Sequence, residues 1–157
     1  MHQYQDFCSR FESLRMKLSD LSWREGVSNY FYQMVPFHYT SSAYLADRMI
    51  DIIQAIDTPS KPFQLSEFGA GSGLLSKHVL QCLSHRFSDR YNITQLSVSD
   101  SSKSQVDALA DSTMFDSHAG KVSFQHAPFD LTALSESPSV IYIANLIDSL
   151  PVHHIQV

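Results

Sequence analysis

The stretch LSEFGAGSGLLSKHVL, from Leu65 to Leu80, places three glycines at alternate positions between an apolar segment and an amphipathic one. Gly69, Gly71 and Gly73 permit positive φ angles and lack the Cβ atoms that would keep a flat ligand away from the backbone. A tight turn needs only one or two glycines, so this alternation favours a ligand-binding loop. A simple tight turn remains the alternative interpretation.

Short apolar segments alternate with amphipathic ones on both sides of this loop. Strands are predicted at Phe63–Phe68, Ile93–Val98, Val122–Gln125 and in SVIYIANL, and helices over Ser42–Ile56, Leu74–Phe87, Ser102–Met114 and, near the N-terminus, FCSRFESLRMKLSDLSW. This alternation is typical of βαβ units in a parallel sheet that is covered by helices on both faces. Ligands bind such sheets beyond the carboxyl ends of the strands, where the glycine loop is expected to lie.

Composition and charge exclude several classes of protein. The chain has 11 basic and 16 acidic residues, a net charge of −5, which is unlike a nucleic-acid-binding protein. Cys8 and Cys82 are far apart and match no metal-site or disulfide spacing, and His153 with His154 would need further ligands, so no metal is expected. Without an apolar segment of membrane-spanning length or a signal peptide, we expect a soluble, cytoplasmic protein that binds no membrane.

The spacing within the loop distinguishes between cofactors. The nicotinamide fingerprint GxGxxG would require glycine at Leu74, and a phosphate-binding P-loop would require lysine directly after Gly73. Both patterns fail. The segment EFGAGSG, Glu67–Gly73, instead resembles the first motif of class I S-adenosylmethionine-dependent methyltransferases, an acidic residue followed by GxGxG.

The resemblance implies a Rossmann-like α/β fold and S-adenosyl-L-methionine as cofactor. In that family Glu67 would hold the methionine amino end of the cofactor, directly or through water, and the three glycines would allow close approach. Asp100 ends the apolar segment LSVSD, where its carboxylate could accept hydrogen bonds from the ribose hydroxyls. Alternatively, Asp100 caps the following helix, a role that Ser101 and Ser102 could also fill.

Two outer segments, one on each side of the glycine loop, resemble one particular family of methyltransferases. FHYTSSAYLADRMIDII and YIANLIDSLPVHHIQV are similar to segments of the MidA family, the mitochondrial complex I assembly methyltransferases and their bacterial relatives, and the likeness runs from about Asn29 to Val157. It implies a protein substrate, methylated at arginine, with Asn145 and Asp148 as catalytic residues that face the methyl acceptor. Leu146 replaces an acidic residue of the family pattern. A non-catalytic protein that keeps the cofactor fold and binds a partner therefore remains the alternative function.

These patterns predict one structural unit in two parts. Residues 1–60 are expected to form a helical segment that packs on the core, and residues 61–157 the cofactor-binding half of a Rossmann-like methyltransferase domain. Because only four strands are predicted by Ile143, the C-terminal strands are expected to be missing, and self-association or the missing portion would cover the open sheet edge. The apolar positions that predict the buried face of the second helix are Leu45, Met49, Ile52, Ile53 and Ile56.

Overall fold

The computed structural model of the protein describes residues 42–56, 62–126 and 139–143. In chain order the elements are α1 (Ala43–Ala55), β1 (Phe63–Phe68), α2 (Leu74–Arg86), α3 (Ser88–Ile93), β2 (Thr94–Asp100), α4 (Lys103–Ala110), a 3-10 helix (Thr113–His118), β3 (Val122–His126) and β4 (Val140–Ile143). The helix predicted near the N-terminus lies outside the described residues, so the proposed packing of residues 1–41 on the core stays a prediction.

The four described strands form one parallel sheet in the order β3-β2-β1-β4. On one side of β1, Leu65 lies opposite Leu96 of β2, and on the other side it lies opposite Val140 of β4. The chain therefore builds outward from β1 in one direction and then adds β4 on the opposite side. Such a reversal opens a crevice at the carboxyl ends of the strands. The predicted α/β fold with a parallel, Rossmann-like sheet is confirmed.

One apolar core joins the sheet to the helices. Its fully buried side chains come from the two central strands and from α1 and α2, which pack against each other. These side chains include Phe63, Leu65, Leu96, Val98, Ile50, Ile53, Val79, Leu80 and Leu83. Their removal from water is the main stabilising contribution to the fold.

The buried face of α1 is centred one residue away from the predicted one: of the predicted positions only Ile53 is fully buried, and Leu45, Met49 and Ile56 are partly buried. Ser42 caps the helix by accepting a hydrogen bond from the backbone N–H of Leu45 at 3.2 Å. The residues buried on α1 are Ala46, Ile50 and Ile53. Ile52, predicted to be buried, is 67% exposed, so that prediction was wrong. Successive helical residues point about 100° apart, and the face centred on Ile50 and Ile53 leaves Ile52 outside it.

The predicted start of β2 was also wrong. The strand predicted from Ile93 to Val98 runs from Thr94 to Asp100, because Ile93 is the last residue of α3. The sequence pattern did not predict α3, which buries none of its residues and therefore carries no apolar periodicity.

The helix predicted over Ser102–Met114 is shorter than expected. It ends at Ala110, and a separate 3-10 helix begins at Thr113. Ser112 interrupts the continuous helix, because its hydroxyl accepts a hydrogen bond from the N–H of Met114 at 3.4 Å and caps the second element. Among the described helices, none has the length and apolar content needed to span a bilayer.

Candidate functional site

The glycine loop joins β1 to α2 at the point where the strand order reverses. Gly69, Gly71 and Gly73 have φ angles of 70°, 51° and 71°, in the region that residues with a Cβ rarely adopt. The N–H of Gly73 donates to the carbonyl of Ala70 at 2.9 Å, and the N–H of Ala70 donates to the carbonyl of Ser99 at 3.1 Å. The loop therefore folds back on itself and is anchored to β2.

The third glycine also lets other elements approach the start of α2. Gly73 occupies the N-cap position of α2 and offers no side chain to cap it. A Cβ atom placed there would lie 2.8 Å from Cδ2 of Leu109 and 3.5 Å from Cε2 of Phe115. Gly73 thus allows α4 and the 3-10 helix to pack directly against the loop.

Glu67 lies near the end of β1 with its side chain 2% exposed. Its carboxylate accepts hydrogen bonds from the hydroxyl and the backbone N–H of Ser76, in the first turn of α2. The Ser76 hydroxyl also contacts the phenol oxygen of Tyr142 at 2.8 Å. Tyr142 lies opposite Glu67 in the pairing of β4 with β1, so three elements meet at this hydrogen-bonded group.

Burial controls the protonation of Glu67 and Tyr142. It raises the pKa of Glu67 from 4.5 to about 8, the negative charge of Asp100 adds to the shift, and the hydrogen bonds from Ser76 oppose it. Burial, with the charge of Glu67, also raises the pKa of Tyr142 well above 10. At neutral pH the phenol is therefore uncharged, and Glu67 carries a proton in most molecules.

Asp100 connects the end of β2 to the glycine loop. Its Oδ2 accepts a hydrogen bond from the N–H of Gly71 at 3.0 Å, and its Oδ1 accepts one from the N–H of Ser102 at 2.9 Å. The N-cap of α4 is Ser102, whose hydroxyl accepts from the N–H of Gln105 at 3.4 Å. A carboxylate has about four acceptor positions, so Asp100 retains capacity for ligand hydroxyls. Its ribose-binding role stays a prediction.

Gln105, in the first turn of α4, is a site residue that the sequence pattern did not indicate. Its side chain is 1% exposed, and its Nε2 donates to the carbonyl of Gly71. Its Oε1 is buried without a hydrogen-bond partner among the described residues. If the Gln105 amide were rotated by 180°, Oε1 would face the carbonyl oxygen of Gly71, and two acceptors would meet. Nε2 therefore points to Gly71, and Oε1 is the atom without a partner. Such an atom is costly to bury unless a donor reaches it.

The described residues bring most of the predicted site together. Glu67, the glycines of the loop and Asp100 meet at the carboxyl ends of β1 and β2. Asn145 and Asp148, predicted to face the methyl acceptor, lie outside the described residues, and their position stays a prediction. Within the described ranges, no three potential metal-ligating side chains come together.

The arrangement suits a ligand that carries positive charge and hydrogen-bond donors. Asp100 supplies negative charge and acceptor capacity, Glu67 is a buried carboxyl that ionises where positive charge approaches it, Gln105 supplies an unpaired acceptor, and the glycine backbone permits close contact. Strand order, loop and acceptors together define an α/β cofactor-binding domain with its site at the reversal of strand order.

Comparison with protein families identifies the group to which this domain belongs. Residues 44–157 match the model of the family described as "Putative S-adenosyl-L-methionine-dependent methyltransferase". The match covers most of the chain, and the chain belongs to this family. Membership implies S-adenosyl-L-methionine as the cofactor, in agreement with the acceptors found here. Neither the comparison with curated proteins nor the one with solved structures gave a match.

Proposed function

We propose that the protein transfers a methyl group from S-adenosyl-L-methionine to a protein side chain, the guanidinium group of arginine. The observation that best supports methyl transfer is the position of Glu67 and the glycine loop, at the reversal of strand order in a chain of a methyltransferase family. The arginine acceptor rests on the similarity of the outer segments to the MidA family.

The residues of the site would bind and align the reactants. The cofactor supplies an electrophilic methyl group on a sulfonium ion. Gly69 and Gly71 let the backbone approach the ligand, the free acceptor positions of Asp100 receive the ribose hydroxyls, and Oε1 of Gln105 receives another ligand donor. Alignment in a site that excludes water accounts for much of the rate enhancement in a displacement of this kind.

Asn145 and Asp148 are proposed to orient the methyl acceptor. A carboxylate can hold a planar guanidinium through paired hydrogen bonds, which suits Asp148. Leu146 stands where the family pattern has an acidic residue. This difference favours a second candidate function, a non-catalytic protein that keeps the cofactor site and binds a partner.

Calorimetric titration tests the cofactor assignment directly. We expect S-adenosylmethionine and its demethylated product to bind with micromolar to submillimolar affinity and NAD to show no binding. Measurable NAD binding together with no heat from either adenosyl ligand would overturn the assignment.

A methyl-transfer assay separates the two candidate functions. Labelled S-adenosylmethionine is incubated with the protein and with arginine-containing peptides or their lysine-substituted counterparts. We expect label on the arginine peptides alone, with transfer reduced in Asn145→Ala and Asp148→Ala while cofactor affinity stays within about twofold. Cofactor binding with no transfer to any protein would favour the non-catalytic function, and label on the lysine peptides would exclude arginine specificity.

A further inference from the structure

A continuous chain of hydrogen-bonded oxygens crosses the site below the glycine loop. It runs from the Glu67 carboxyl through the Ser76 hydroxyl to the Tyr142 phenol. The three residues are 2%, 0% and 9% exposed and belong to β1, α2 and β4. The roles proposed above use Glu67 alone, and they leave Ser76 and Tyr142 without a function.

The hydroxyl in the middle of the chain can serve two proton arrangements. When Glu67 is ionised, Ser76 donates to the carboxylate and accepts from Tyr142. When Glu67 is protonated, its O–H donates to Ser76, and Ser76 donates to the Tyr142 oxygen. A serine hydroxyl is both donor and acceptor and rotates freely, so both arrangements fit the same oxygen positions.

The surroundings of Glu67 favour the protonated arrangement in the absence of ligand. Burial and the negative charge of Asp100, on β2, favour the proton, whereas the N–H and hydroxyl of Ser76, on α2, oppose it. From β4, the phenol of Tyr142 bonds the Ser76 hydroxyl. Among the described residues, no cationic side chain contributes to the balance at Glu67. A ligand cation close to the end of β1 would supply the missing positive charge and favour ionisation.

We propose that Ser76 and Tyr142 are positioning residues for cofactor binding: they hold the Glu67 carboxyl in place while burial keeps its proton in the ligand-free protein, and they support its ionised form when a cationic ligand binds. This inference rests on the proposed cofactor site. On binding, the O–H bond of Glu67 breaks, its electron pair stays on the carboxylate, and the proton passes to solvent. The carboxylate then faces the ligand cation, and Ser76 donates to it.

The coupling makes cofactor affinity depend on pH. Where Glu67 is protonated before binding, ligand binding must remove that proton, so affinity rises with pH by up to about tenfold per pH unit. The rise ends where free Glu67 is already ionised, near its pKa of about 8. A free α-amino group has a pKa of roughly 7.7–8.0, so the ligand keeps its charge near pH 6.5.

Calorimetry at pH 6.5 in phosphate and in imidazole measures the released protons, because these buffers differ in ionisation enthalpy. With S-adenosylmethionine we expect wild-type protein to release close to one proton per ligand bound, and Glu67→Gln close to none. Ser76→Ala should weaken binding at pH 6.5 by roughly 3- to 30-fold and move the pH dependence upward, because the hydrogen bond that favours ionisation is lost. Tyr142→Phe should act in the same direction with a smaller effect.

Two further variants distinguish positioning from a structural role. Ser76→Thr keeps the hydroxyl and should restore the wild-type pH dependence. Ser84→Ala removes another α2 hydroxyl, which bonds the carbonyl of Gln81, and should leave proton release unchanged.

Ligand binding without proton release in wild-type protein would overturn this inference and leave the proposed function intact. Absence of adenosyl-ligand binding at every pH would defeat the proposed function and the inference with it. If Glu67→Gln does not fold, calorimetry of wild-type protein over a series of pH values decides whether ligand binding is coupled to proton release. Proton release that declines above pH 8 supports the coupling, and release that is constant from pH 6 to 9 contradicts it.

Discussion

The two ends of the sheet carry polar side chains of opposite charge. At the amino end, cationic groups donate to backbone carbonyls: Nη2 of Arg90 to Ile56 at 2.9 Å, and Nζ of Lys121 to Asn92 at 3.0 Å and Thr94 at 3.3 Å. At the carboxyl end, carboxylates accept from backbone and hydroxyl donors. The cations hold connecting segments in place, whereas the acidic groups retain acceptor capacity.

The unpaired buried atoms follow the same division. At the amino end the side-chain atoms without a partner among the described residues are Nη1 of Arg90, a donor, and Nε2 of His118. At the carboxyl end it is Oε1 of Gln105, an acceptor. The polar groups at the amino end therefore close the fold, whereas those at the carboxyl end leave acceptor capacity at the site where we propose that the cofactor binds.

The largest effect is expected from Glu67→Gln, measured as the pH dependence of stability. Folded Glu67 keeps its proton up to a pKa of about 8, whereas its ordinary value is 4.5. Between these values the folded state binds the extra proton, so stability falls as pH rises and levels off above about 8. Relative to the glutamine variant, wild-type protein should lose about 2–4 kcal/mol between pH 5 and pH 8. Urea unfolding at pH 5, 6.5 and 8 measures this difference, and parallel pH profiles would contradict the buried acid.

A pair of glycines provides a matched test of packing at the two ends. Gly73 and Gly120 have φ angles of 71° and 78°, but only at Gly73 does a Cβ meet close neighbours, since nothing lies within 4 Å at Gly120. Gly73→Ala should reduce the free energy of unfolding by about 2–3 kcal/mol through strain and overpacking. Gly120→Ala should lose about 1 kcal/mol through strain alone.

Urea unfolding of both alanine variants measures the contrast. Equal losses would mean that Leu109 shifts without cost and that the approach of α4 does not depend on Gly73. A Gly73→Ala variant with normal stability and unchanged cofactor affinity would remove the packing reason for this glycine.

Asp100→Ala should affect both stability and ligand binding. It leaves the N–H groups of Gly71 and Ser102 without their acceptor and should cost about 1–3 kcal/mol of stability. Loss of a charged acceptor should also weaken adenosyl-ligand binding by roughly 5- to 150-fold in calorimetry. Asp107→Ala is the control, because that side chain is exposed and pairs with Lys103. If stability falls while affinity does not, Asp100 anchors the loop and takes no part in binding ribose.

A small effect, on stability alone, is expected from Lys121→Met at the amino end. The ammonium group bonds two carbonyls and lies 4.8 Å from the centre of the Tyr91 ring, so its loss should cost about 1 kcal/mol. Ligand affinity should not change. A loss of affinity comparable to that of Asp100→Ala would contradict the functional division between the ends of the sheet.

Local sequence patterns were sufficient to predict most of the described helices and strands. β1 was predicted with its observed bounds, and the carboxyl end of α2 within one residue, because an apolar run and a regular apolar period record burial directly in the sequence. α3 left no such pattern, since it buries no residue. The exposure of Ile52 also depends on where the neighbouring helix packs, which no local pattern contains.

The sequence by itself determined the glycine loop, its acidic neighbour Glu67 and the acidic end of β2, because these features follow from residue type and spacing within short segments. Only the tertiary structure decided which groups these residues contact. Ser76 and Tyr142 are 66 positions apart and meet at Glu67 through the pairing of β4 with β1. Gln105 reaches Gly71 only because α4 packs beside the loop. Their roles depend on strand register and helix packing, which are set by long-range burial in the core rather than by any local sequence pattern.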